Sequence, residues 1–194
     1  MTTAKFLFNK NKISLILLSC MLALTPVNSS GFSQGPDKSP VDYDVLFKEG
    51  LKRRGKLLNL SGKKIGDEGV RHLIASKVLE NVEKIDLRYN EITAVGAELL
   101  AKISPLRKLR VLILRHNILG DAGSLALAKS NSFPNLEEMQ LGWTETRDAG
   151  ALAFGNTDKF QNLKKLDLRG NFLANKTKEE LKKSLGHLKS LQLF

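Results

Sequence analysis

The chain has 194 residues, 42% of them apolar and 26% charged, enough for one ordinary globular domain. Its formal net charge is +11 and its pI is near 9.8, which predicts solubility and attraction to anionic partners but says nothing about fold. A single cysteine excludes an intrachain disulfide framework.

Residues 1–29 read as a leader. Lys5, Lys10 and Lys12 give a positive start without acids, and Ile13 to Leu24 is an apolar run too short to span a bilayer comfortably. Small and polar residues follow through Ser29. This resembles a bacterial secretory signal peptide, so the expectation is an exported, periplasmic or secreted protein. The alternatives are an uncleaved N-terminal membrane anchor, or a lipoprotein in which Leu17-Leu18-Ser19-Cys20 makes Cys20 the lipidation site. Cleavage after Ser29 would leave no cysteine, and hence no thiol nucleophile. Residues 30–41, with Gly31, Gly35, Pro36 and Pro40, have linker composition. Residues 42–54 read as an N-terminal cap helix with Asp44 as its N-cap, covering the apolar end that a repeat array exposes.

From residue 55 to 194 the chain repeats. Leu60, Leu87, Leu114, Leu141 and Leu168 are each 27 residues apart, and so are Gly69, Gly96, Gly123 and Gly150. Val82 to Ile92 reads L-x-x-L-x-L-x-x-N-x-L with Val and Ile at two Leu positions. Helical spacing follows over Val70–Val78, Ala97–Ile103, Ser124–Lys129, Ala149–Phe154 and Lys178–Leu185. Asn90, Asn117 and Asn171 are expected to form a structural ladder, satisfying backbone groups of neighbouring coils. Lys63 and Thr144 at the same slot should weaken it locally, and Thr146 replaces a Leu.

These five tandem matches, together with Gly66-Asp67-Glu68-Gly69 and Gly120-Asp121-Ala122-Gly123, resemble the leucine-rich repeat family and its ribonuclease-inhibitor-like subfamily. The resemblance implies an α/β fold: a right-handed solenoid arc with a concave parallel β-sheet and convex α-helices, about five and a half repeats of 27 residues. Known members are protein binders, inhibitors and GTPase activators, so it implies recognition without choosing the target.

Outward strand positions alternate with the buried leucines and should form columns across the sheet. One column is Asn59, Asp86, Ile113, Gln140, Asp167 and Gln192; the next is Ser61, Arg88, Arg115, Gly142 and Arg169; the third is Gly62, Tyr89, His116, Trp143 and Gly170. Arg, Tyr and Trp dominate binding energy at many interfaces. The expected partner-binding face is therefore Arg88, Tyr89, Ile113, Arg115, His116, Trp143 and Arg169. The plainer reading is that Asp86–Arg88 and Asp167–Arg169 pair on a solvated face, and that Trp143 packs over Thr144 and Thr146.

No catalytic constellation is legible, and no metal or cofactor motif. His72, His116 and His187 fall at different repeat offsets. The expected function is a non-enzymatic protein-interaction module, an inhibitor or host-interaction factor. The alternative is an envelope-associated binder of anionic glycan or lipid through Lys52-Arg53-Arg54, Lys63-Lys64, Lys164-Lys165 and Lys182-Lys183. Nucleic acid is disfavoured, because no nucleic-acid module is present and a leader removes the chain from most of it. Self-association through the C-terminal strand edge is a further expectation.

Overall fold

The computed structural model describes residues 41–194; the leader, Cys20 and nearly all of the linker lie outside the described residues. In chain order the elements are α1 (Tyr43–Gly50), β1 (Leu51–Lys52), β2 (Leu57–Asn59), α2 (Gly66–Ala75), β3 (Lys84–Asp86), α3 (Ala94–Ala101), β4 (Val111–Ile113), α4 (Gly120–Ala128), β5 (Glu138–Gln140), α5 (Asp148–Gly155), β6 (Lys165–Asp167), α6 (Asn175–Ser184) and β7 (Ser190–Gln192). The strands form one sheet in that order. β1 pairs antiparallel with β2, and every later pair is parallel, with a helix in each crossover. Consecutive repeats thus pair strand on strand and helix on helix, the α/β solenoid that the period implied.

Register follows the repeat. Leu58, Ile85, Leu112, Met139, Leu166 and Leu191 line up across the sheet. Their side chains, half-buried at Leu191 and buried at the others, and the next inward column (Leu60, Leu87, Leu114, Leu141, Leu168), also buried, pack with Leu73, Leu100, Leu127, Phe154 and Leu181 from the helices. Phe47 of α1 is fully buried and closes the N-terminal end of this core. Its helix is capped by Asp42, not Asp44: the Val45 amide donates to the Asp42 side chain at 3.0 Å. Asp44 instead sits in the first turn, where a carboxylate complements the positive end of the helix.

The helices α2 to α6 start one to four residues earlier than the apolar spacing indicated. In three of them the cause is a cap from the preceding repeat. Asp67 accepts from the amides of Thr93 and Gly96 at 2.8 and 3.0 Å, at the start of α3. Asp121 accepts from Arg147 and Gly150 at 2.8 and 2.7 Å, at the start of α5, and Asp148 from Ala174 at 2.9 Å, beside α6. The Ala174 amide and the Thr177 hydroxyl hold the Asp148 carboxyl below its ordinary range. Such caps satisfy the orphan amides of a helix start.

The periodic glycines serve the same contact. They lie inside the first helical turn, not in the turn before it. A Cβ on Gly150 would stand 2.7 Å from Asp121 Oδ1 and 2.9 Å from Asp121 Cα; one on Gly123 would stand 2.9 Å from Ala97 Cβ. Gly150→Ala is expected to destabilise the chain by about 1–3 kcal/mol through overpacking, read as a lowered thermal midpoint.

The asparagine ladder bonds coil to coil. Asn117 Nδ2 donates to the carbonyls of Leu87 and Leu114 at 2.9 and 2.8 Å, and its Oδ1 accepts from the amides of Asn90 and Ile92 at 3.1 and 3.0 Å. Asn171 repeats the pattern on Leu141, Leu168, Thr144 and Thr146. At Thr144 the link changes route. Its hydroxyl donates to the Leu141 carbonyl at 2.7 Å and lies 2.9 Å from Thr146 Oγ1, which lies 2.5 Å from Ser124 Oγ on α4. All three hydroxyls belong to fully buried residues. Thr146 in the Leu slot is thus no defect: it carries the connection to repeat three that Thr144 is too short to make.

Candidate binding surface

The third outward column sits in a strained turn. Tyr89, His116 and Trp143 have φ of 55°, 56° and 54°, while Gly62 and Gly170 at the equivalent positions have 70° and 69°. Left-handed backbone costs an L-residue roughly 1–2 kcal/mol and costs glycine nothing comparable. Each turn is held by the next repeat: the amides of Tyr89, His116 and Trp143 donate to the carbonyls of Arg115, Gly142 and Arg169. Three consecutive aromatic side chains therefore occupy a conformation that suits glycine.

Their rings stack. Tyr89 and His116 centroids are 4.2 Å apart at 8°, and His116 and Trp143 are 4.9 Å apart at 11°. Trp143 laps over Gly170, where any Cβ would collide with the indole Nε1 and Cε2. The bare glycine thus makes room for the ring as well as for the turn. Tyr89 is 52% exposed and Trp143 41%, so the stack presents ring edges, and one Tyr89 face, to solvent. Thr144 and Thr146 are fully buried, and Thr146 lines one cleft with Trp143.

Beside the rings run the arginines. Arg88 grips Asp86 bidentately at 3.0 and 2.8 Å, and Arg169 grips Asp167 at the same distances. These pairs are the plainer reading realised. Asp86 raises the Arg88 guanidinium and Asp167 raises that of Arg169 above the ordinary value. Burial pushes the Asp167 carboxyl up, but its hydrogen bonds from Arg169 and the charges of Arg169 and Arg115 outweigh that, and it lies below its usual value.

Arg115 differs. Its guanidinium lies 4.8 Å from the Trp143 ring centroid, within cation–π range. Its Nε packs beside Gly142, where a Cβ would come within ordinary contact at 3.5 Å. Ile113, two residues before Arg115, is only 4% exposed. Buried to that degree it offers a partner almost no surface, which corrects the expectation that it is a contact residue. The structure thus brings Arg115, His116 and Trp143 together, with Tyr89 at one end of the stack and Arg88 and Arg169 paired beside it.

Phe172 escaped the sequence reading. It is 94% exposed and, with Trp143, Glu145, Thr146, Arg147 and Gly170, lines a cleft of about 460 Å³ on the rim. Its offset matches Ile118, itself 50% exposed, so the shared repeat position was the available signal. His72 stacks on Tyr43 at 4.5 Å, on the helical side, away from His116. Among the described residues no three His, Cys, Asp or Glu side chains gather to hold a metal ion. Several clustered lysines are ion-paired: Lys64 with Glu91 at 3.1 Å, Lys164 with Glu137 at 2.6 Å and Lys165 with Glu138 at 3.5 Å.

Burial lowers the His116 imidazole below its ordinary value, and the Arg115 and Arg88 charges act in the same sense. The folded chain therefore favours neutral His116. Its contribution to stability is complete above the unfolded imidazole value, near 6.5, and is lost as pH falls from there through the folded value. The expected result is a lower urea midpoint at pH 5.5 than at pH 7.5, with part of that difference removed by His116→Gln.

The Leucine Rich repeat family model matches residues 78–101 and 106–128. Two segments of this chain thus match leucine-rich repeats. Among solved structures, the leucine-rich-repeat fold seen here is similar to the tropomodulin C-terminal domain of Caenorhabditis elegans, with a TM-score of 0.56, 18% identity, and coverage of 75% of this chain and 92% of that one. A structure of leiomodin-1 actin-binding site 2 aligns with a TM-score of 0.47, 14% identity, and coverage of 80% and 81%. At 18% identity the likeness to the tropomodulin domain is one of fold alone. No curated protein matches this sequence.

Proposed function

We propose that this chain is a non-enzymatic recognition module that seats another protein on the concave face and its turn rim, centred on Tyr89, His116, Trp143 and Arg115. The observation that carries this reading is the ring stack. Three aromatic side chains are kept half-exposed on left-handed backbone where the flanking repeats use glycine. Lys64, Glu91 and Glu145 share this left-handed backbone, so it is the stacked aromatic identity of the three side chains, and not the strain alone, that supports the reading. Exposed Trp and Tyr beside Arg are also the side chains that most often carry interface energy.

The leader signature of residues 1–29 supports placing this module outside the cytoplasm, as an inhibitor or host-interaction factor of the ribonuclease-inhibitor-like type. The lysine-based reading toward anionic glycan or lipid has less support, because Lys64, Lys164 and Lys165 are already neutralised by glutamates. The test is affinity capture from envelope and host-cell extracts, comparing the wild-type chain with one carrying Trp143→Gly, both shown to be folded by circular dichroism. A protein held only by the wild type supports the reading. Equal capture by both, released at moderate salt, would transfer the function to the lysines.

A further inference from the structure

We infer that Arg115 is the anchor for a single carboxylate carried by the partner, an acidic side chain laid against the Trp143 edge. This rests on the protein-binding reading above and specifies its chemistry. The column of three arginines is chemically uneven. Arg88 and Arg169 each close on the aspartate two residues earlier, Asp86 and Asp167. The residue two before Arg115 is Ile113, in sheet register with Asp86 on one side and Gln140 on the other. Arg115 has no such carboxylate.

Its nearest acid is Asp167, at 3.9 Å, beyond hydrogen-bond distance and already engaged by Arg169 at 2.8 Å. Among the buried side-chain nitrogens and oxygens of the described residues, Arg115 Nε is the one without a hydrogen-bond partner. With Nε buried beside Asp167, a carboxylate arriving from a partner meets the outer, terminal nitrogens of the guanidinium. The guanidinium is ordered in advance by Trp143, so little freedom is lost on binding. Its planar fork matches a carboxylate in two parallel hydrogen bonds. Below it lies a concave hollow of about 290 Å³ on the sheet, bordered by Gln140, Asp167 and Arg169.

The neighbouring acids decide which kind of anion fits. Glu138 and Asp167 line the same hollow. A polymer with a negative charge at every link, such as a nucleic-acid backbone, would meet both. Both acids are already ion-paired, Glu138 with Lys165 and Asp167 with Arg169, so one carboxylate on an otherwise neutral stretch meets less repulsion than such a polymer. Trp143, the chain's one tryptophan, reports on the site directly.

The experiment is a titration of the full chain, followed by tryptophan fluorescence, with a blocked glycine pentapeptide bearing one central glutamate. The same peptide with glutamine, and a thymidine dinucleotide, serve as comparisons. The deciding variant is Ile113→Asp, which supplies the intramolecular partner that Arg88 and Arg169 already have. The position tolerates it in principle, since Asp86 and Asp167 occupy the same column at 5% exposure. Arg115→Lys, which keeps the charge and loses the fork, is the second variant should Ile113→Asp fail to fold. The expected result is a saturable change at millimolar glutamate peptide, weakened at least tenfold by either variant and absent with glutamine. No change with the wild type, equal titration of wild type and variants, or a stronger response to the dinucleotide would each overturn the inference. A failed protein capture with this titration intact would instead count against the proposed module alone.

Discussion

Asn117→Ala is expected to lower the stability of the chain by about 3–5 kcal/mol, the largest effect of any single substitution considered. The side chain closes four backbone groups in two adjacent repeats: the carbonyls of Leu87 and Leu114 and the amides of Asn90 and Ile92. Asn117 is 3% exposed and Asn90 fully buried, so water does not readily replace the lost partner. Each buried group left unpaired costs about 1–3 kcal/mol, and partial relaxation keeps the total below the simple sum. A repeat array is held by nearest-neighbour interfaces, so the loss falls on the junction between repeats two and three. Urea unfolding followed in parallel by circular dichroism and Trp143 fluorescence checks this. A shift below about 1 kcal/mol would mean that the ladder is replaceable by solvent.

Trp143→Gly is expected to do the opposite: little to stability and much to recognition. The lost stacking on His116 is worth about 0.5–1.5 kcal/mol and the lost Arg115 contact about 0.5–1 kcal/mol. Some apolar burial over Gly170 goes with them. Against this, glycine accepts φ of 54° freely, which returns roughly 1–2 kcal/mol of backbone strain. The net loss should be about 1–2 kcal/mol, within reach of a chain that still folds. Capture of the partner should fall about thirtyfold if the ring is worth the 2 kcal/mol typical of a central interface aromatic. A chain that unfolds would show that the indole holds the turn together. A folded chain with undiminished capture would remove the ring stack from the function.

Much of this was legible from residue numbers alone. A fixed step of 27 puts equal offsets in one column, so the adjacency of Tyr89, His116 and Trp143, and that of the arginines, follows once the strands pair in parallel. The inward leucines follow from the alternation of side chains along a strand. What the period did not disclose is how each column member uses its neighbours. Ile113 occupies an outward position that reads as a contact residue, yet its side chain is buried. Helix starts were misplaced because apolar spacing marks the buried stripe, whereas the first turn is set by Asp67, Asp121 and Asp148 reaching over from the preceding repeat.

The division has one physical origin. By itself the sequence determined everything that depends on the repeat being periodic: the parallel sheet, the strand register, the buried columns and the asparagine positions. Backbone hydrogen bonds between like turns force like offsets together whatever the side chains are. Only the tertiary structure decided what depends on contacts between unlike side chains some 27 residues apart. Those contacts buried the hydroxyl chain through Ser124 and Thr146, packed the rings face to face on strained turns, and left Arg115 the one of the three arginines not gripped by a carboxylate two residues before it.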